Sequence, residues 1–334
     1  MARARTVRAH PINVTGQVKR LTEQDERVVR LVAEHDVFST EQLAALCFDR
    51  ADRPADALPR LNYLATRALL IKYEHPGTHP AGFPGDDLDD TPPAGMPDPA
   101  PDAWPDGQRW VWSLGQGGAY WAGVERVLNR HAWFEAWTRS FHPEQRPHLR
   151  RRLAFNGFFA ALHHYSLTHP DAGLDQWWGP DRCAEASRGQ VAPDAHGRWR
   201  QRGNSVPFWL YSDYVRDPMR TLVATVDQHT TVHRSNAADR DVILLVMVND
   251  NREALLHQRW ATYAPTGKPT PRVATTSYRK LRAWPTDAIW WPVGPRADAF
   301  PGSPAQARRL HQLARQGPPI QPATAGNVTT GGPA

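Results

Sequence analysis

Residues 241–248, DVILLVMV, constrain the fold of this chain more than any other segment. A continuous apolar run of this kind is typical of a strand that is buried on both faces of a sheet. Strand-like and helix-like segments alternate around it, at 206–212, 250–260, 271–276 and 287–294. This alternation predicts an α/β layer with a central sheet over residues 145–295.

The N-terminal part of the chain has the pattern of three short helices. Thr22 is suited to cap the first helix and Ser39 or Thr40 the second, because apolar residues follow at helical spacing. A third helix is predicted with Asp56 as its N-cap. Pro59 would then occupy the third helical position, where its missing N–H has no intrahelical partner to lose.

Two strands are predicted after these helices, at LLIKYE (69–74) and QRWVWSLG (108–115). Three helices followed by a two-stranded hairpin predict a winged helix-turn-helix over residues 20–122. The wing insertion between the strands, residues 75–107, is acidic, rich in Pro and Gly, and contains no Lys or Arg. We expect it to be disordered or extended and to repel phosphate.

The third helix of such a module enters the major groove of double-stranded DNA. The predicted DNA contacts are Arg53, Arg60, Asn62, Tyr63, Arg67 and Lys72. Secondary phosphate contacts are predicted at Arg150, Arg151 and Arg152. The alternative is a solvated helix end, but the helix dipole disfavours cations at the start of a helix, which slightly strengthens the case for a phosphate contact. The alternative is a module that binds protein, because a fold does not fix a function.

The composition narrows the classes of function only in part. The net charge is +6, and arginine supplies nearly all the cations. Guanidinium groups bind phosphate bidentately, but a GC-rich genome also enriches arginine codons, so basicity alone carries little weight. The two cysteines, Cys47 and Cys183, exclude a disulfide framework and a four-cysteine zinc site.

The sequence predicts a cytoplasmic chain without membrane contact. No apolar stretch approaches the roughly 18 residues of a membrane span, and the basic N-terminus lacks the apolar core of a secretory signal. His229 and His233 are four residues apart, but the threonines between them disfavour a helix, so neither a metal nor a cofactor is expected. Residues 296–334 are predicted to form a short basic helix, at 304–316, and a disordered tail.

Several segments together resemble the replication-relaxation proteins of actinobacterial plasmids and mobile elements. In order, they are LTEQDERVVRLVAEHDVFSTEQLAALCF, WVWSLGQGGAYWAG, LAFNGFFAAL, PDAHG and WWPVG. The resemblance covers residues 21 to about 295. It implies a DNA-binding protein linked to plasmid replication or mobilisation, with a restriction-endonuclease-like fold in the second module.

In that fold, acidic side chains and a lysine hold Mg²⁺ and activate water. The resemblance aligns Asp194 and Asp213 with two of the acids, but Tyr211 stands where a glutamate is expected and Thr225 near the position of the lysine. This incomplete set implies an inactive or weakly active nuclease module, with Mg²⁺ only if activity survives. Asp213 has a simpler alternative role as the cap of the helix that follows it.

The leading hypothesis is a sequence-directed, double-stranded DNA-binding protein of a plasmid or mobile element, in which the sheet module is a scaffold. The partners implied are a relaxase, a replication initiator or a transfer ATPase, and homodimerisation is open. Two alternatives remain: a metal-dependent nickase or relaxase, and a transcriptional regulator of the element. Whether the chain is an enzyme stays open, although the incomplete acid set favours a non-enzymatic role.

Overall fold

In a computed structural model, the chain is a mixed α/β protein, so the predicted fold class is confirmed. The structure describes residues 21–48, 53–74, 110–125, 149–213, 219–233, 241–263, 272–283, 286–293 and 307–314. The predicted wing insertion lies outside the described residues, as do residues 126–148 and most of the C-terminal segment from 296 onward.

The N-terminal unit combines four helices with a three-stranded sheet within the described residues. Its elements are α1 (Glu23–His35), β1 (Val37–Ser39), α2 (Thr40–Cys47), a 3-10 turn (Pro54–Ala57), α3 (Leu58–Thr66), β2 (Leu70–Glu74), β3 (Trp110–Leu114) and α4 (Gln116–Val124). β3 lies between β1 and β2 and is antiparallel to both. The predicted pairing of β2 with β3 is confirmed, and β1 is an additional strand that was not predicted.

Capping boxes begin the first two helices. Thr22 Oγ1 accepts a hydrogen bond from Asp25 N–H at 3.3 Å, and Asp25 Oδ2 accepts one from Thr22 N–H at 2.9 Å. Ser39 and Gln42 exchange the equivalent pair of bonds at the start of α2. Each box satisfies two N–H groups that a helix start leaves without a partner. The predicted caps are therefore confirmed, with Ser39 preferred over Thr40.

The start of α3 differs from the prediction. Its N-cap is Ala57 instead of Asp56, and Pro59 is its second residue instead of its third. The preceding 3-10 turn explains the shift, because Asp56 N–H already bonds to the Arg53 carbonyl at 3.0 Å. Pro59 still lies in the first turn, where no intrahelical hydrogen bond is lost.

The sheet unit carries a six-stranded mixed sheet. Its elements are α5 (Leu149–Thr168), β4 (Ala172–Trp178), α6 (Pro180–Ala186), β5 (Ala195–Gln201), β6 (Asn204–Ser212), α7 (Met219–His233), β7 (Val242–Met247), α8 (Asp250–Tyr263), β8 (Arg272–Ser277), α9 (Tyr278–Ala283) and β9 (Trp291–Val293). The strands lie side by side in chain order. β4, β5 and β6 are antiparallel, β6, β7 and β8 are parallel, and β9 is antiparallel to β8.

Both faces of the sheet are covered, as the apolar run in β7 predicts. One face packs against α5 and α9 through a core that includes Phe155, Phe158, Phe159 and Leu281. The other face packs against α6, α7 and α8 through a core that includes Cys183, Val223, Val226, Leu256 and Trp260. All six residues of β7 are buried, which confirms the prediction of a strand buried on both faces.

Three features of the sheet unit were not predicted correctly. β4 and β5 were missed, and His229 and His233 do lie on one helix, α7. In place of the basic helix predicted at 304–316, the described residues form a 3-10 turn, Leu310–Leu313. Leu310 and Leu313 are buried in the core beneath α5, because their apolar side chains outweigh the basic character of the surrounding sequence.

The two units pack directly against each other. Asn156 of α5 donates from Nδ2 to the carbonyls of His35, at 3.1 Å, and Val37, at 2.6 Å. A side chain at Gly179 would meet the Glu34 carbonyl, because a Cβ built there lies 2.3 Å from that oxygen. Glycine is thus the residue that lets the start of α6 approach the end of α1 this closely.

Candidate nucleic-acid interface and the carboxylates of the sheet

Five of the six predicted DNA contacts lie on α3, directly after it or on β2, and they form two groups of contacts. The guanidinium groups of Arg60 and Arg67 lie 4.6 and 4.9 Å from the ring centroid of Tyr63. Lys72 Nζ donates to Asn62 Oδ1 at 3.0 Å. We call these five residues the α3 face. Arg53, the sixth, is exposed immediately before the 3-10 turn that leads into α3.

Arg60 has a structural partner that sequence reasoning missed. Its Nε donates to Asp25 Oδ1 at 2.6 Å and its Nη2 donates to Asp25 Oδ2, so the pair is bidentate. The Asp25 side chain is fully buried, while a third of the Arg60 side chain is exposed. Burial opposes ionisation of Asp25, but hydrogen bonds from Arg60 and Thr22 outweigh it and lower the pKa of this carboxyl. Arg60 therefore ties α3 to α1.

Trp110 of β3, which was predicted only as part of a strand, lies beside the α3 face. Lys72 Nζ lies 3.7 Å from the Trp110 ring centroid and 5.5 Å from that of Trp112. Partial burial beside these rings lowers the pKa of Lys72. The cation–π contact offsets part of the free-energy cost of burying the charged ammonium group. Lys72 and Trp112 are paired in the adjacent strands β2 and β3. Aligning the two predicted strands as a hairpin could have revealed this pair from the sequence.

The side chain of Arg152, a residue of α5, reaches the start of β5. Its Nη1 donates to the Asp194 carbonyl at 3.2 Å. Only the backbone of Arg150 and Arg151 falls within the described residues, so their predicted phosphate contacts stay predictions. Arg152 also faces His35, whose imidazole is fully buried. Burial first, and then the nearby Arg152 and Arg182, lower the pKa of His35 well below its usual value.

Asp194 and Asp213 are both buried and both engaged by protein groups. Asp194 Oδ2 accepts from Ser212 N–H at 2.9 Å and from Ser212 Oγ at 2.6 Å. Asp213 Oδ1 accepts from Arg252 Nη2 at 2.8 Å, and its Oδ2 accepts from Arg252 Nε. The described partner of Asp213 is thus a side chain of α8, which gives no support to its alternative role as a helix cap.

The residue set does not fit a nuclease-type metal site. Tyr211, at the expected glutamate position, forms a buried 2.5 Å hydrogen bond with His229 Nδ1. Thr225 Oγ1 donates to a carbonyl of its own helix, that of Thr221, at 3.0 Å. Within the described residues, no three His, Cys, Asp or Glu side chains are grouped so that they could hold a metal ion. Carboxylate ligands free to reach Mg²⁺ are what such a site needs.

A second set of ion pairs lies at the carboxyl ends of the parallel strands β7 and β8. Lys280 Nζ lies 2.8 Å from Glu253 Oε2 and 3.2 Å from Asp250 Oδ1, and Arg279 pairs with Asp250. Thr275 Oγ1 donates to Glu253 Oε1 at 2.7 Å. Burial opposes ionisation of Asp250, but its hydrogen bonds and the nearby Lys280 outweigh it and lower its pKa. Sequence reasoning missed this cluster.

Within the described part of the chain, no helix combines the length and the apolar character that crossing a bilayer requires.

The comparisons with known proteins support the family resemblance. No curated protein and no solved structure gives a significant match. The family model described as replication-relaxation matches residues 98–244. This match includes β3, α5, Asp194 and Asp213, and the family suggests a role in the replication or relaxation of plasmids or mobile elements. Residues 98–244 of the chain are thus similar to the replication-relaxation family.

Proposed function

We propose that this chain is a double-stranded DNA-binding protein of a plasmid or mobile element, acting in its replication or relaxation. The observation that carries the proposal is the α3 face, where Arg60, Arg67 and Lys72 are held beside aromatic rings on a short helix and its adjacent strand. The winged helix-turn-helix interpretation and a cytoplasmic location, where plasmid DNA lies, are parts of this proposal.

Ordered cations favour a duplex backbone over unpaired bases. Base stacking on single strands uses open aromatic faces, whereas the rings of Tyr63 and Trp110 have cations over them. Guanidinium and ammonium groups held in this way suit phosphate oxygens. Asn62 Oδ1 accepts from Lys72, so a bidentate contact of Asn62 with adenine would require Lys72 to move. We therefore assign most of the binding to phosphates.

Because it forms an ion pair with Asp25, Arg60 has a different role from Arg67 and Lys72. Its two nitrogens hold the buried carboxylate, so Arg60 positions α3 and its remaining surface faces the DNA. We assign the principal phosphate contacts to Arg53, Arg67 and Lys72. The sheet unit, with both carboxylates engaged, serves as a scaffold for a partner such as a relaxase, a replication initiator, a transfer ATPase or a second copy.

Fluorescence anisotropy with a labelled duplex tests this assignment. Arg67→Ala and Lys72→Ala should each weaken binding by roughly tenfold, the worth of one charge-assisted hydrogen bond of about 1.5 kcal/mol. Arg198→Ala is the matched control, because Arg198 is an exposed arginine on β5 of the other unit. Circular dichroism verifies the fold of each variant. Equal affinities for the wild type and both α3-face variants would refute the proposal.

The nickase alternative requires a metal at Asp194 and Asp213, whose oxygens are engaged by Ser212 and Arg252. Incubation of supercoiled plasmid with Mg²⁺ or Mn²⁺ tests it, with Asp213→Ala as the control. Nicking that depends on Asp213 would favour the enzyme. A transcriptional regulator would share the α3 face, and mapping the bound sites to a promoter or to an origin separates the two roles.

A further inference from the structure

Within the described residues, both carboxylate oxygens of Asp213 are bound by the side chain of Arg252. Asp213 directly follows strand β6, and its N–H bonds to the Val246 carbonyl at 2.9 Å. Its side chain is 0% exposed, whereas that of Arg252, which binds both carboxylate oxygens, is 20% exposed. A metal ion that bound both carboxylate oxygens of Asp213 would therefore have to displace this guanidinium.

The backbone of α8 fixes Arg252 in this position. Asn249 Oδ1 accepts from Arg252 N–H at 2.8 Å at the start of α8. The planar guanidinium matches a carboxylate with two parallel hydrogen bonds, and its positive charge balances a carboxylate that cannot be left unpaired when buried. A divalent cation at the same place would likewise bind the carboxylate oxygens and balance their negative charge.

The neighbouring strand ends repeat this arrangement. Asp250 and Glu253, which are both acids of the first turn of α8, pair with Arg279 and Lys280. Within the described residues, these ion pairs set Asp213, Asp250 and Glu253 against Arg252, Arg279 and Lys280 at the carboxyl ends of β6, β7 and β8. In parallel sheets, this edge is where ligands and metals are most often bound, and here the protein supplies its own cations.

We infer that Arg252 takes the place of a divalent cation at Asp213. The sheet unit then folds, and supports DNA binding, without any metal. This inference extends the proposal that the sheet unit is a scaffold. It rests on the proposed function only for the statement about DNA binding. It makes Arg252 a positioning residue that holds the end of β6 against α8.

Thermal unfolding of the full chain, with EDTA or with Mn²⁺, tests the inference. The wild-type midpoint should be the same in both. Arg252→Gln should lower it by roughly 5–10 °C, because an unpaired buried carboxylate remains, and Mn²⁺ should restore part of the loss. In the double variant Arg252→Gln/Asp213→Asn, part of the stability should return in EDTA and Mn²⁺ should have no effect, because no buried charge is left.

Two results would overturn the inference. One is a Mn²⁺-dependent rise in the wild-type midpoint that Asp213→Asn abolishes. The other is an identical response of Arg252→Gln and the double variant to Mn²⁺. Should Arg252→Gln fail to fold, Mn²⁺ paramagnetic resonance on the wild type and Asp213→Asn still decides, since equal binding supports the inference and a site lost in Asp213→Asn contradicts it. Duplex binding is measured in EDTA as a separate experiment. Absence of duplex binding there would contradict the proposed function but not the role of Arg252.

Discussion

His35, the last residue of α1, stacks on Trp177 of β4 with ring centroids 3.7 Å apart and planes 19° from parallel. The stack continues into the sheet unit, because Phe159 lies on Trp177 at 4.7 Å. Stacked aromatic pairs add stability beyond their buried area. This column of rings joins the N-terminal unit to the core of the sheet unit, so a change at His35 affects both.

Acidification should therefore weaken the junction. The pKa of His35 is lowered by burial and by Arg152 and Arg182, so its neutral form is the stable one in the folded state. Stability is fully present above the unfolded pKa, about 6.5, and falls as the pH drops below it. One such group predicts a loss of about 1 kcal/mol between pH 6.5 and pH 5.5, measurable by urea unfolding.

His35→Phe provides the control for this pH dependence. Phenylalanine keeps a ring for stacking on Trp177 and cannot be protonated, so its unfolding free energy should change less between pH 7.5 and pH 5.5. Some dependence should remain, because burial also lowers the pKa of His257 and His311. A variant with the same pH profile as the wild type would show that His35 does not control it.

Gly197→Ala should destabilise the sheet unit. A Cβ at this position would lie 2.4 Å from Phe208 Cζ and 2.8 Å from Phe159 Cε1. Because those rings are packed in the core and cannot move away freely, overpacking should lower the free energy of unfolding by about 1–3 kcal/mol. Chemical denaturation measures the loss. Ser205→Ala, at an exposed position of β6, is the matched control, and equal losses in the two variants would contradict the account.

Arg60→Ala should cost stability as well as affinity. It leaves the fully buried Asp25 carboxylate without its bidentate partner. Breaking such a pair costs about 3–5 kcal/mol when both partners are buried, and the partial exposure of Arg60 reduces this to about 2 kcal/mol. Asp25→Asn in the same chain should recover part of the loss. Arg67→Ala, which removes a contact with the Tyr63 ring, should cost less than half as much, and a reversed order would be evidence against the structural role of Arg60.

Local signals in the sequence predicted much of the fold. The cap at Thr22, the apolar spacing of α1 and the continuous apolar run of β7 each depend on neighbours within a few residues, and the structure confirms them. β5 also had a usable signal, since Arg198 and Arg200 are exposed while Trp199 between them is buried. That alternation, with period two, marks a strand.

The rest depends on contacts between distant parts of the chain. Arg60 and Asp25 are 35 residues apart, and Arg252 and Asp213 are 39 apart, so no sequence window contains either pair. Helix formation at His229 was opposed by local threonine propensity, but its packing beside Tyr211 and Trp209 prevails. The arginines predicted to meet DNA from their place in and around the third helix could not be separated by sequence from arginines that hold the fold.

The salt dependence of duplex binding tests the central claim most directly. The claim is that cations of the α3 face neutralise phosphates of double-stranded DNA. If Arg53, Arg67 and Lys72 each displace a counterion, a plot of log K against log salt should have a slope of about −3, and Arg67→Ala should reduce its magnitude by about 0.9. Absence of binding to plasmid-derived and random duplexes even in dilute buffer, or a slope that Arg67→Ala leaves unchanged, would contradict the claim.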